Sequence, residues 1–181
     1  MGWPPQNLPK KRSRSPGAGT RLRPPNRKGR AKMASLREQL GNGDKRQQVV
    51  DDACKVLDQE VADKGGISGL AIKGAYKIVQ GVKPGFVREA VDGLLDDFLD
   101  ALDPLYQEAA AKKVNAGSYL RDNSSRAADA LLAITDARAQ RAKSQVVRGA
   151  YEKLRPMAKK QVEAAMPRLG DLLGRLAAPT A

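Results

Sequence analysis

From residue 44 to residue 176, apolar residues recur at steps of three and four positions. This spacing collects them on one face of an α-helix, whereas a half-buried strand requires alternation of apolar and polar residues. No alternating stretch competes with the helical pattern, and no repeat of fixed period is visible. The sequence therefore predicts an all-α protein, a single helical bundle of five to seven helices with a disordered basic N-terminal tail.

Glycine, proline and capping residues divide the pattern into helices, and Asp44 and Ser144 are predicted caps at two of the helix starts. Asp103 before Pro104 predicts the end of one helix and the start of another, because Asp is a favoured N-cap and proline suits the first helical position. Pro156 and Pro167 are interpreted in the same way. The predicted helices cover about 44–64, 68–80, 86–102, 104–115, 124–142 and 144–155, with further helices up to 176.

The first residues differ in composition from the rest, so we predict a tail over 1–35 and an all-helical domain over 36–178. Residues 1–32 contain ten basic side chains, six prolines and no acidic residue. Like charges repel and proline interrupts regular structure, which predicts disorder. Three interpretations of this stretch stay open: an arm for nucleic acid or another polyanion, an organelle address, or sequence upstream of a true start at Met33.

The formal net charge of +13 belongs mainly to this tail. Because ten positive charges lie within residues 1–32, the remainder carries only +3. Within the remainder, residues 33–103 carry a net charge of −4 and residues 104–181 a net charge of +7. The net charge is therefore weak evidence for a nucleic-acid partner.

The residue counts exclude several kinds of chemistry. The chain has no histidine and one cysteine, so it has no Ser-His-Asp triad, no histidine-containing zinc site and no internal disulfide. Cys54 lies on an apolar helix face, and we interpret it as a core residue. We expect no enzymatic activity, no cofactor and no catalytic residue. No apolar run is long enough to predict a transmembrane helix.

Two charged groups are candidate interaction residues. Asp92, Asp96 and Asp100 follow one another at four-residue steps and form an aspartate stripe on one helix face. A straight stripe does not converge on a metal ion, so we interpret it as a solvated or partner-binding face. Arg138, Arg141 and Arg148 form a basic patch in the positive half. The stripe and the patch attract each other either within one molecule or between two, and the second case gives a homodimer.

The predicted helix over 68–80 combines apolar residues with Lys73 and Lys77. One interpretation is a core helix, because apolar residues at helical spacing usually face the core. The other places the segment over 68–82 on a membrane surface, with its lysines at the lipid headgroups.

Several segments carry a resemblance to known proteins: Gly69–Lys73, Lys83–Val87, Leu94–Phe98, Ala101–Tyr106 and Ala130–Arg138. Together they resemble an uncharacterised family of small all-helical bacterial proteins of unknown function. The resemblance extends over about residues 36–173 and leaves out the basic tail. It implies a bacterial cytoplasmic protein and no particular activity or cofactor.

The leading expectation is a non-enzymatic cytoplasmic protein that acts through protein–protein contacts or self-association. One alternative is binding of nucleic acid or another polyanion through the tail and the basic second half. The other alternative is peripheral membrane binding through the 68–82 helix.

Overall fold

A computed structural model describes residues 33–179, and within them the chain forms α-helices and no strand. The predicted all-α bundle is confirmed, while the predicted disorder of the tail falls on residues 1–32, outside the described part. The helices are α1 (Leu36–Leu40), α2 (Gly43–Asp63), α3 (Gly66–Gln80), α4 (Phe86–Lys112), α5 (Ala116–Asp122), α6 (Ser124–Arg141) and α7 (Gln145–Leu176).

The two long helices α4 and α7 organise the bundle. Helix α7 packs against α2, α3, α5 and α6, and α4 packs against α1, α2, α3, α5 and α6. The main core lies where α1, α2, α4, α5, α6 and the second half of α7 meet, and Leu36, Val50, Tyr106, Leu120 and Met166 are almost completely buried there. The apolar residues of the predicted helices supply this core.

Helix α1 is a short helix that the sequence reasoning did not identify. Ser35 and Glu38 form a reciprocal capping box at its start. Leu36 and Leu40 are buried, and the Leu36 N–H donates to the Asp103 carboxylate at 2.9 Å. Five residues are too few for a stable isolated helix, so α1 depends on these tertiary contacts.

The predicted break at Asp103–Pro104 is wrong, because α4 continues through Pro104. Asp103 does not cap α4; its carboxylate accepts hydrogen bonds from α1 and from Gln107. Leu99 and Leu105 are buried on either side of the proline. This burial offsets the cost of an interior proline, which is about 3 kcal/mol.

The prediction that Pro156 and Pro167 each begin a new helix is also wrong, because both lie inside α7. The predicted cap at its start is confirmed: Ser144 accepts a hydrogen bond from the Val147 N–H at 3.4 Å. The predicted cap Asp44 is wrong, because α2 begins one residue earlier at Gly43, whose φ of +57° suits glycine.

Helices α5 and α7 approach each other closely at two glycines. A Cβ atom built on Gly170 lies 2.6 Å from the carbonyl oxygen of Gly117, and a Cβ on Gly117 meets the backbone of Gly170 in turn. Only glycine at both positions permits this backbone contact.

Glu108 joins α4 to α5 and α6. Both of its carboxylate oxygens accept from Arg126, at 2.8 and 3.0 Å, and the Tyr119 hydroxyl donates to it at 2.8 Å. The Arg126 guanidinium, followed by the Tyr119 hydroxyl, lowers the pKa of Glu108 to about 2.

The segment after α7 folds back onto the start of the domain. The side-chain oxygen of Gln39 accepts from the Ala178 N–H at 2.8 Å, and the Tyr106 hydroxyl donates to the Ala178 carbonyl at 3.0 Å. Lys45 donates to the Leu176 carbonyl at 3.1 Å. We call this group of contacts the terminal clasp.

Candidate functional site

Helix α3 buries one side and leaves apolar residues on the other. Gly69, Ile72 and Ala75 are buried against the bundle, where α3 packs mainly on α7. On the outer side, Ile67 is 90% exposed, Leu70 72% and Ile78 47%. The helix therefore buries one side against the bundle and leaves a second apolar side exposed.

The exposed apolar residues of α3 share one face. Ile67, Leu70, Ala71, Gly74 and Ile78 are all exposed, and each lies three or four residues from at least one other member of the group. We call them the α3 apolar face. The exposed side chains of a single-chain protein seldom include such a continuous apolar row, and larger patches of this kind mark binding surfaces.

The charge on α3 has one sign. Lys73 and Lys77 are exposed, and the helix contains no acidic residue. Neither lysine forms an ion pair within residues 33–179. The neighbouring Lys64 and Lys83 differ in this respect, since they pair with Glu60 at 2.8 Å and Glu89 at 2.5 Å.

Two features fix α3 on the bundle. A Cβ atom on Gly69 would lie 2.6 Å from the Lys64 carbonyl oxygen, so glycine permits the tight turn from α2. Further along, the Tyr76 hydroxyl donates to the Asp58 carboxylate of α2 at 2.6 Å. Burial and this hydrogen bond raise the pKa of Tyr76, which therefore stays a neutral donor.

An apolar cleft of about 570 Å³ lies between α3, α4, the end of α6 and the start of α7. Its walls are half-buried rather than closed, and they do not belong to the main core. The lining side chains include Val87, Ala90, Leu94 and Phe98 from α4, Val79 from α3 and Leu154 from α7.

The few polar groups of the cleft are Tyr76 on α3 and Thr135, Arg138 and Tyr151 on α6 and α7. The Tyr151 hydroxyl donates to Asp136 at 2.6 Å and lies 3.0 Å from the Thr135 hydroxyl. Arg155 also binds Asp136, with its Nε at 2.6 Å. Arg155 first, and then Tyr151, lower the pKa of Asp136. These groups satisfy one another, which leaves the cleft interior predominantly apolar.

The aspartate stripe lies on α4 and faces α1 and α2. Arg46, whose side chain is only 20% exposed, binds Asp92 and Asp96 at 2.8 Å each, and Arg37 binds Asp100 at 2.7 Å. The structure thus pairs the stripe within the chain, with arginines of the first two helices rather than with the basic patch.

The basic patch lies at the junction of α6 and α7, at one end of the cleft. Arg138 lines the cleft and donates to the Asp97 carboxylate at 2.6 Å and to the Gly93 carbonyl at 3.3 Å. Arg141 and Arg148 form no ion pair with any residue between 33 and 179. The structure therefore brings the patch to an apolar opening, a relation that helical periodicity alone does not reveal.

Cys54 is half-buried and packs against the main core, as interpreted from the sequence. Burial raises the pKa of its thiol. Across residues 33–179, no three cysteine or acidic side chains converge in the manner of metal ligands.

Comparison with family models matches residues 36–177 to a family described as "Family of unknown function (DUF6918)". Neither the curated proteins nor the solved structures give a match. None of the helices between residues 33 and 179 has both the length and the apolar character needed to cross a bilayer.

Proposed function

The chain belongs to this family of unknown function, and from that premise we propose that it is a non-enzymatic protein that docks on anionic membrane surfaces through the α3 apolar face. The observation that carries the proposal is the exposure of Ile67 and Leu70, 90% and 72%, on a helix whose two lysines have no ion-pair partner within residues 33–179. An interfacial helix combines an apolar face with basic residues in this way.

The apolar side chains provide the main binding energy. Complete transfer of a Leu or Ile side chain from water to an apolar environment contributes about 1.5–3 kcal/mol. In the protein these side chains face water, so a membrane interface would recover that free energy without unfolding any part of the bundle.

The lysines select the kind of surface. Lys73 and Lys77 have no acidic neighbour on α3, and a basic residue near an anionic leaflet contributes about 1 kcal/mol. If the α3 apolar face instead bound the same face of a second copy, Lys73 and Lys77 of one copy would lie beside the same lysines of the other. The proposal keeps the predicted cytoplasmic location, since the cytoplasmic leaflet carries anionic lipids.

The other functions expected from the sequence have less support. Self-association through the aspartate stripe would compete with its pairing to Arg37 and Arg46. Polyanion binding through the tail and basic patch stays a prediction, but it gives no role to Ile67 and Leu70.

Flotation of the full chain with vesicles containing phosphatidylglycerol tests the proposal. The assay is run at raised salt, because salt screens the attraction of the basic tail much more than apolar contacts. Replacing Ile67 and Leu70 with Ser is expected to reduce vesicle binding on the order of tenfold to a hundredfold. The matched control replaces the exposed Val114 and Val146 with Ser, and it is expected to float like the parent.

Circular dichroism checks that both double variants retain the helical content of the parent. Vesicle binding that is absent in the parent, or equal in the two folded double variants, contradicts the proposal. Binding that depends only on charge would instead be abolished by salt in every variant and would favour the polyanion alternative.

A further inference from the structure

The apolar cleft has no part in the proposed membrane docking, and it has the size of a small-molecule site. Its volume of about 570 Å³ falls within the range of about 300–1,000 Å³ that is typical of ligand pockets. Two smaller spaces of about 290 and 230 Å³ also contact Leu57 and Phe98, which line the cleft. The three spaces therefore share these two side chains as wall residues.

The composition of the walls selects an apolar occupant. The walls supplied by α4 are aliphatic or aromatic at Val87, Leu94 and Phe98. Tyr151 and Thr135 are already hydrogen-bonded to each other and to Asp136. An apolar molecule in such a cleft covers side chains that otherwise face water, and the hydrophobic effect favours this burial.

The opening of the cleft is positively charged. Arg138 lines it but is paired with Asp97, and Ala142 and Val147, also in its wall, flank the connection between α6 and α7. Arg141 and Arg148 lie beside those two residues and have no acidic partner within residues 33–179. A second copy of the chain would bring the same positive charge to this opening, whereas a small anion would compensate it.

We infer that the cleft binds one anionic amphiphile with a single apolar chain, of the fatty-acid class. Arg141 and Arg148 hold its anionic head at the junction of α6 and α7. The apolar chain runs between α3 and α4 toward Phe98. This site is separate from the α3 apolar face, so either proposal can fail without the other.

Binding of dodecanoate to the full chain, measured by calorimetry without vesicles, tests the inference. Saturable binding at one site is expected, and dodecanol, which lacks the charge, should bind about tenfold more weakly, equivalent to about 1.4 kcal/mol. Replacement of Arg141 and Arg148 with Glu should remove that difference. The matched control replaces Lys153 and Lys160, on the outer side of α7, with Glu and so changes the net charge equally.

The position of the apolar chain is tested by filling the cleft. Ala90→Phe adds a ring inside the cleft and is expected to weaken dodecanoate binding at least tenfold, whereas Ala133→Phe on the exposed side of α6 leaves it unchanged. If Ala90→Phe does not fold, Ala139→Leu fills the same space from α6. Absence of saturable binding overturns the inference, as does equal binding by the folded filled variant and its control.

Discussion

The close contact between α5 and α7 leads to a quantitative prediction for Gly170→Ala. The new Cβ would lie 2.6 Å from the Gly117 carbonyl oxygen, whereas ordinary van der Waals contact begins at about 3.4 Å. The two helices must therefore separate by about 0.8 Å, the difference between these distances. The atom in the way belongs to the backbone, so no side-chain rotation relieves the clash.

The expected cost is the difference between two effects. Overpacking of a well-packed contact costs about 1–3 kcal/mol, and a rigid backbone contact belongs at the upper end. Replacement of a helical glycine by alanine returns about 1 kcal/mol. Gly170→Ala is therefore expected to lower the free energy of unfolding by about 2 kcal/mol, which corresponds to a decrease in Tm of about 4–8 °C.

Thermal and urea unfolding of the full chain, followed by circular dichroism, measure this effect. Gly174→Ala is the control, because a Cβ there meets no atom within 4 Å and the variant should gain up to about 1 kcal/mol. The double variant with Gly117→Ala should cost less than the two single changes added together, since the helices separate once. Equal stability of Gly170→Ala and Gly174→Ala would refute the argument.

Three further predictions follow from the other contacts. Arg46→Ala should lower the free energy of unfolding by about 2 kcal/mol in urea titrations, because it leaves the aspartate stripe without its main partner. The control Arg175→Ala removes a single contact of 3.8 Å to Asp52 and should change the free energy of unfolding by less than about 0.5 kcal/mol. Carbon-detected NMR should give Glu108 a pKa of about 2, rising toward 4.5 in Arg126→Gln. Since folding lowers this pKa, the stabilising contribution of the carboxylate is complete above about pH 4.5 and disappears as the pH falls toward 2, a dependence that Arg126→Gln should weaken. Pro156→Ala should raise Tm, because it restores a hydrogen bond inside α7; an unchanged Tm would mean that the proline occupies a first helical position instead.

The fold class could be predicted because periodicity is a local property of the sequence. The errors arose where burial outweighs local preference, as at Pro104 and Pro167, which lie beside the buried Leu105 and Met166. Each suits a helix start, yet each lies inside a helix whose flanking residues are held by tertiary packing. Helix α1 did carry a usable local signal, the Ser35–Glu38 capping box, which was overlooked.

The candidate site depends on relations between distant segments, which periodicity does not contain. The aspartate stripe could be located, but Arg37 lies 63 residues from Asp100 and Arg46 lies 46 residues from Asp92, so the partners meet only through packing. The exposure of Ile67 likewise depends on which side of α3 rests on α7. The apolar cleft is a space between four helices, so no single segment could have indicated it.

The terminal clasp has a consequence for the order of events during synthesis. Its hydrogen bond between Gln39 and Ala178 joins residues 139 positions apart. Closing so long a loop costs entropy that only an already formed bundle offsets, so such a contact belongs to the last steps of folding. On the ribosome the clasp stays open until residue 178 has emerged. Helix α1, made before the other helices, thus gains its final hydrogen bonds only after all of them have been made.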